Sequence, residues 1–235
     1  ALPYYTPVER IENQIQYIRQ TAECPDIIAL NEVNRFRRDM WVNELTDLGY
    51  TQLVHTLDWA EELGNSEIPP HQDYNHVNGN LTAVHETFRG ETLTRKQPSI
   101  RNGVWEDADL KDWDTNFPEK ILHSTVEVDE STIDIWNVRA VPGSMHGEEK
   151  VKILKNMFNR IRKGCDPPCI LAGDFNSPDQ ELPDGTLIPW RYDQDGEIAE
   201  MWIEAEWNIL RGLTDKEMVD VFRDQHGYGD LDILD

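Results

Sequence analysis

Apolar residues recur at spacings of three and four from Val8 through Ile11, Ile15, Ile18 and Ala22, behind a proline suited to a helix start. That period predicts an amphipathic helix over residues 7–22. After a turn at Cys24-Pro25-Asp26, the unbroken run Ile27-Ile28-Ala29-Leu30 reads as a strand buried on both faces that ends on Asn31-Glu32. A second helix is expected over 39–49, closed by Gly49, and a strand over 50–57 on Tyr50, Leu53 and Val54. The pattern then weakens. Residues 58–118 are polar and carry turn signals at Pro69-Pro70, Asn78-Gly79-Asn80 and Arg101-Asn102-Gly103, so long loops with short strands near 81–88 and 91–95 are expected.

Periodicity returns at Lys120–Val128 and Ile133–Val138, two strands joined through Asp129-Glu130-Ser131 as a hairpin. Val151, Leu154, Phe158 and Ile161 mark a helix over 147–163, and Cys169–Ala172 a further buried strand. A loop of about 20 residues follows Asp174, then a helix over roughly 197–213 and a short helix or strand beginning at Met218-Val219-Asp220-Val221-Phe222. Alternating strands and helices with an internal hairpin predict an α/β domain built on mixed sheets. At 235 residues, with 38% hydrophobic residues, one domain with a substantial core is expected.

Composition adds a strong charge bias. Asp and Glu number 45 against 22 Lys and Arg, for a net charge of −23, and arginine outnumbers lysine. This matches the surface of a salt-adapted (halophilic) protein, in which molar salt screens carboxylate repulsion. In dilute salt the same charge opposes polyanionic substrates; in high salt only charge local to a site matters. No 18-residue apolar stretch and no signal-peptide pattern occurs, so a cytoplasmic location is expected. Cys24, Cys165 and Cys169 lack the partners of a zinc site, and a structural role is expected for them.

The candidate chemistry lies at strand ends. In Ile170-Leu-Ala-Gly-Asp-Phe-Asn-Ser-Pro178, Asp174 and Asn176 stand two apart and point to one side of an extended backbone. A carboxylate and an amide so placed suit a hard divalent cation or a phosphoryl oxygen. Glu32, at the end of another strand, supplies a second carboxylate, and two carboxylates plus water make a plausible Mg²⁺ or Mn²⁺ site.

The segments PDIIALNEV (25–33), IDIWNVRAVPGS (133–144) and ILAGDFNSP (170–178) occur in the order and spacing of the endonuclease/exonuclease/phosphatase superfamily, which the chain resembles from about residue 7 to 229. The resemblance implies a four-layer α/β/β/α sandwich of two mixed sheets flanked by helices, and metal-dependent phosphoester hydrolysis. It implies that Glu32 binds the metal and that Asp174, also close to the metal, orients the attacking water. It further implies that Asn176 and Asn137 contact the phosphate. Where the family commonly has histidine two residues after this asparagine, the chain has Arg139, able to bind phosphate but not to exchange a proton near neutral pH. Asn31 stands where glutamine is commoner. The family's first strand, ending in Asn, and its last, carrying Asp-His, have no match. The expectation is therefore a domain incomplete at both ends and lacking outer strands, or a degenerate protein that binds without catalysing.

Arg35, Arg37 and Arg38 form a basic cluster beside Glu32, able to receive a phosphate backbone or to pair with Asp39 or Glu44. His71, His76, His85 and His146 lack zinc-site spacing; Trp105, Trp113, Trp190 and Trp202 are expected chiefly as core or loop anchors. The substrate class implied is a phosphoester, nucleic acid included; a small-molecule or lipid-headgroup phosphatase is the alternative within the same fold.

Overall fold

The computed structural model describes residues 7–20, 24–63, 78–88, 90–96, 115–164, 168–177, 180–182, 184–188 and 197–227. Pro69-Pro70, His71, His76, Arg101-Asn102-Gly103, Trp105, Trp113, Cys165 and Trp190 lie outside the described residues, as does the side chain of His146.

Two sheets face each other. The first contains β1 (Ile27–Asn34), β2 (Gln52–His55) and β3 (Asn78–Val84) in the order β1-β3-β2, antiparallel throughout. The second contains β4 (Gly90–Arg95), β5 (Ile121–Val128), β6 (Ser131–Arg139) and β7 (Cys169–Asp174) in the order β4-β5-β6-β7. Its β4-β5-β6 portion is antiparallel and β6-β7 is parallel, so the mixed character resides in the second sheet. A 22-residue helix, α4 (Gly143–Gly164), makes the crossover from β6 to β7, as a parallel connection requires.

Helices cover both outer faces. On the first sheet, Ile11 and Ile15 of α1 (Pro7–Gln20) and Trp41 and Leu45 of α2 (Arg38–Asp47) pack with Ile28, Val33, Leu81 and Ala83. On the second, Val151, Leu154, Met157 and Ile161 of α4 join Trp202, Ala205 and Ile209 of α5 (Glu197–Arg211) over Ile121, Trp136 and Val138. Between the sheets lie Val84, Leu93, Val126 and Ile135. The result is the expected α/β/β/α layering. Among the described residues no helix is long and apolar enough to cross a membrane.

Several local expectations change. Residues 57–63, at the join between an expected strand and an expected loop, form the short helix α3 (Leu57–Leu63), with Trp59 and Ala60 buried. Two turns are too short for a 3.6-residue period to register against the polar run that follows. Asn78-Gly79-Asn80 is the buried start of β3 rather than a turn, because its polar groups find partners across the sheets. Ile170 is 39% exposed, so β7 is not the fully buried strand its composition predicts: among the described residues it is an outermost strand. The interval after Asp174 contains a small hairpin, β8 (Gln180–Glu181) with β9 (Leu187–Ile188), and α6 (Val221–His226) resolves the helix-or-strand alternative as helix. Trp202 is buried in the helix layer, and Cys169 packs against the same cluster.

Candidate active site

The alternation of β6 decides what meets between the sheets. Trp136 and Val138 point to the helices, so Ile135, Asn137 and Arg139 point to the first sheet. Asn137 is fully buried. Its Nδ2 donates to the Leu81 carbonyl at 2.9 Å, the Leu30 carbonyl at 3.2 Å and Thr82 Oγ1 at 3.3 Å. The residue expected to touch phosphate is thus a tie between sheets, with its donors engaged by β1 and β3.

Two residues on, Arg139 reaches the sheet edge and its Nη2 pairs with Glu32 Oε1 at 2.6 Å. Glu32 is delivered there by a bulge: between the Leu30–Leu81 and Val33–Gly79 pairs, Asn31 and Glu32 together oppose Asn80. Glu32 takes the left-handed conformation, φ 57°, which re-aims its side chain relative to the strand. Arg139 is only 5% exposed, whereas the Glu32 side chain is 34% exposed. One end of the pair is therefore fixed and the other open to solvent.

Asn31, its neighbour in the bulge, has a role that its sequence context did not announce. Its Nδ2 donates to Asn137 Oδ1 at 2.8 Å, the Val138 carbonyl at 3.0 Å and Asn80 Oδ1 at 3.2 Å, while its Oδ1 accepts from the Asp174 amide at 3.1 Å. One side chain thus connects β1, β3, β6 and β7. The only sequence signal was its departure from the commoner glutamine.

Asp174 is exposed at the end of β7, in register with Arg139. Its carboxylate accepts from the Asn176 amide at 2.8 Å through Oδ1 and from Asn176 Nδ2 at 3.2 Å through Oδ2. Asn176 Nδ2 also donates to the Ala140 carbonyl at 2.6 Å, and Asn176 itself is left-handed at φ 48°. Gly173 makes the approach feasible: at φ +145° a Cβ there would overlap the Val138 carbonyl oxygen. Asp174 and Asn176 are joined to each other and to the neighbouring strand across a turn with Asn176 left-handed, not along the extended backbone that their spacing suggested.

Lys120 lies beneath this edge, fully buried and bonded to Asn78 through the asparagine carbonyl at 2.7 Å and Oδ1, with Glu119 Oε1 at 3.5 Å. Burial pushes its ammonium down to about 8, with Glu119 opposing that fall. The basic cluster after Glu32 divides: Arg35 is half-buried, with its guanidinium over the Phe36 ring, and Arg38 pairs with Asp39 at 2.9 Å. His85 bonds Leu48 and Thr87 and stands edge-on to Tyr50.

No family model and no curated protein matches the sequence. Solved structures do. An AP endonuclease from Leishmania major aligns at TM-score 0.50 and 15% identity over 93% of this chain and 65% of that one. ANGEL2, a 2',3'-cyclic phosphatase crystallised with adenosine-2',3'-vanadate, aligns at TM-score 0.50 and 14% identity over 81% of this chain and 55% of that one. The chain has the endonuclease/exonuclease/phosphatase fold. It spans less than two thirds of the length of these two structures. In this deoxyribonuclease I-like fold, Glu32, Arg139, Asp174 and Asn176 share the sheet edge where β1, β6 and β7 end.

The donor set bears on whether a divalent cation fits. Among the described residues no cluster of three or more His, Cys, Asp or Glu exists. Mg²⁺, however, is commonly held by one or two carboxylates with the rest of its shell water. Glu32 has a second oxygen and solvent access, and Asp174 is exposed; both are hard oxygen donors. The residues fit a hydrated Mg²⁺ or Mn²⁺, with Arg139 already supplying one positive charge to Glu32.

Proposed function

We propose that this chain carries the site of a metal-dependent phosphoester hydrolase, with phosphodiesters, nucleic acid included, as the substrate class. The observation that supports this most is the convergence on one open edge of two carboxylates, a buried guanidinium and an amide, with Asn31 tying the Asp174 backbone to β3 and β6. Glu32 and Asp174 would hold Mg²⁺ or Mn²⁺, which when bound supplies charge neutralisation at the phosphoryl oxygens.

The remaining roles belong to the protein. Asp174, fixed from both oxygens by Asn176, orients the attacking water and accepts its proton as the new P–O bond forms. Arg139 presents fixed positive charge to the phosphoryl group, its Nη2 anchored on Glu32 and its Nε buried without a hydrogen-bond partner among the described residues. Asn176, and Arg35 on the turn after β1, line the approach. Such catalysis consists of positioning and electrostatic stabilisation. The exposure of Asp174 favours a substrate that lies across the edge over one enclosed in a small pocket.

Mn²⁺ binding followed by water-proton relaxation tests the metal assignment directly. Wild type should bind with a single strong site and Glu32→Gln should weaken it at least about tenfold, as expected for loss of a charged ligand. Equal binding by both proteins would remove Glu32 from the site. Hydrolysis of a phosphodiester faster than a phosphomonoester supports the open-edge reading; the reverse supports the phosphatase, and metal binding without either supports a binding module.

A further inference from the structure

A buried ion pair lies directly under the Asp174–Asn176 turn. Lys150 of α4 and Glu206 of α5 are each 1% exposed, with Nζ and Oε1 3.3 Å apart. Around them are Val151, Leu154, Trp202, Ala205 and Ile209, and Nζ stands 5.1 Å from the Trp202 ring centre. An ion pair in such surroundings adds little stability, because desolvation offsets most of the attraction; apolar side chains of similar volume commonly do as well or better. Burial lowers the basicity of Lys150 against the opposing field of Glu206, the signature of that desolvation.

The pair's other polar contacts go to one place. Lys150 Nζ donates to the Asn176 carbonyl, and Ser177 Oγ donates to Glu206 Oε1 at 2.6 Å. Glu206 Oε2 is buried without a partner among the described residues. Asn176 is the left-handed residue whose amide and side chain both hold the Asp174 carboxylate, so fixing its carbonyl and the next side chain anchors the residue that holds Asp174. We propose that Lys150 and Glu206, acting through Asn176 and Ser177, are positioning residues that hold the Asp174 carboxylate in its working orientation. The inference rests on the hydrolase reading for its kinetic consequence but not for its structural one.

The test replaces the pair with apolar residues, Lys150→Met with Glu206→Leu, in the full chain. The double variant should melt at or above the wild-type temperature, since no lone buried charge remains. Hydrogen exchange at the Asn176 amide should nevertheless accelerate about tenfold, the factor one ordinary hydrogen bond contributes. In phosphodiester hydrolysis kcat should fall on the order of a hundredfold with KM nearly unchanged, as for a misplaced catalytic group. Lys150→Arg, which still donates to the Asn176 carbonyl, should recover most of both effects. A double variant that folds with wild-type exchange and wild-type kcat overturns the proposal. If that variant does not fold, Ser177→Ala decides: it frees the turn from Glu206 and leaves the ion pair in place. Faster Asn176 exchange then supports the proposal, and unchanged exchange overturns it. A wild-type protein with no hydrolysis defeats the hydrolase reading alone, because the exchange measurement still decides whether the pair holds the turn.

Discussion

Asn31→Asp exchanges one atom's chemistry at the junction of four strands. Asn31 Nδ2 faces three acceptors, Asn137 Oδ1, the Val138 carbonyl and Asn80 Oδ1, at 2.8, 3.0 and 3.2 Å. Asn31→Ala removes these bonds and leaves Asn137 Oδ1, on a fully buried side chain, without its donor; an orphaned acceptor and the lost bonds together cost about 3 kcal/mol. Asn31→Asp keeps the volume but turns a carboxylate oxygen toward three other oxygens, which adds about 2 kcal/mol more. With a urea m-value of roughly 2.5 kcal/mol/M for a chain of this size, the unfolding midpoint should fall by about 1.2 M for alanine and about 2 M for aspartate. The gap between the two variants should close on acidification. The introduced carboxyl titrates at a raised value in the fold, so its penalty is complete above that value and disappears as the protonated group donates again. An aspartate variant no less stable than the alanine variant, at neutral pH and with unchanged m, would refute the assignment of Asn31 as a donor hub.

Three further outcomes follow from single contacts. Gly173→Ala drives a Cβ into the Val138 carbonyl at a φ of +145°, and should cost more than about 4 kcal/mol in chemical unfolding. A loss below about 1 kcal/mol would mean that β6 and β7 can separate there. Arg139→Met removes the cation paired with Glu32 at 2.6 Å, so Mn²⁺ affinity should rise while KM for a phosphodiester increases roughly tenfold, the value of one charge-assisted contact. Tyr50 is buried with its hydroxyl donating to the Pro25 carbonyl at 2.7 Å, and burial raises its pKa to about 12. Its raised value means the fold favours the neutral phenol: stability is intact below pH 10 and falls between 10 and 12, and Tyr50→Phe should flatten that fall in pH-resolved unfolding.

What the sequence disclosed follows the range of each interaction. The β5–β6 hairpin was legible because its two apolar segments are adjacent in sequence and their turn is local, with Asp129 left-handed at φ 52°. The Gly-Asp-Phe-Asn segment was legible because part of its geometry is local, the Asp174 carboxylate accepting from the amide and side chain of Asn176, although its ties to Asn31, Ala140 and Lys150 are not. The bulge at Asn31 and Glu32 was not, since it exists only relative to β3. Asn78, Asn80 and Lys120 read as loop or strand-edge residues, yet all three are buried: the bonds that join Lys120 to Asn80 and Asn78 span 40 and 42 residues, and no local pattern announces them. Asn137 was expected to face phosphate, but its alternation with Trp136 and Val138 turns it into the space between the sheets, and of this strand's residues it is Arg139 that reaches Glu32. The Lys150–Glu206 pair was invisible because each residue sits within an otherwise ordinary amphipathic helix.

Under the proposed function, the edge formed by Glu32, Arg139, Asp174 and Asn176 hydrolyses phosphoesters. Initial rates on a generic phosphodiester, with and without Mg²⁺ and at low and molar salt, should be compared for wild type and Asp174→Ala. The wild-type rate should depend on Mg²⁺ and drop at least about a hundredfold in the variant, as for loss of a catalytic base, with no change in melting temperature beyond that of an exposed substitution. Equal rates for the two proteins under every condition would contradict the proposed function.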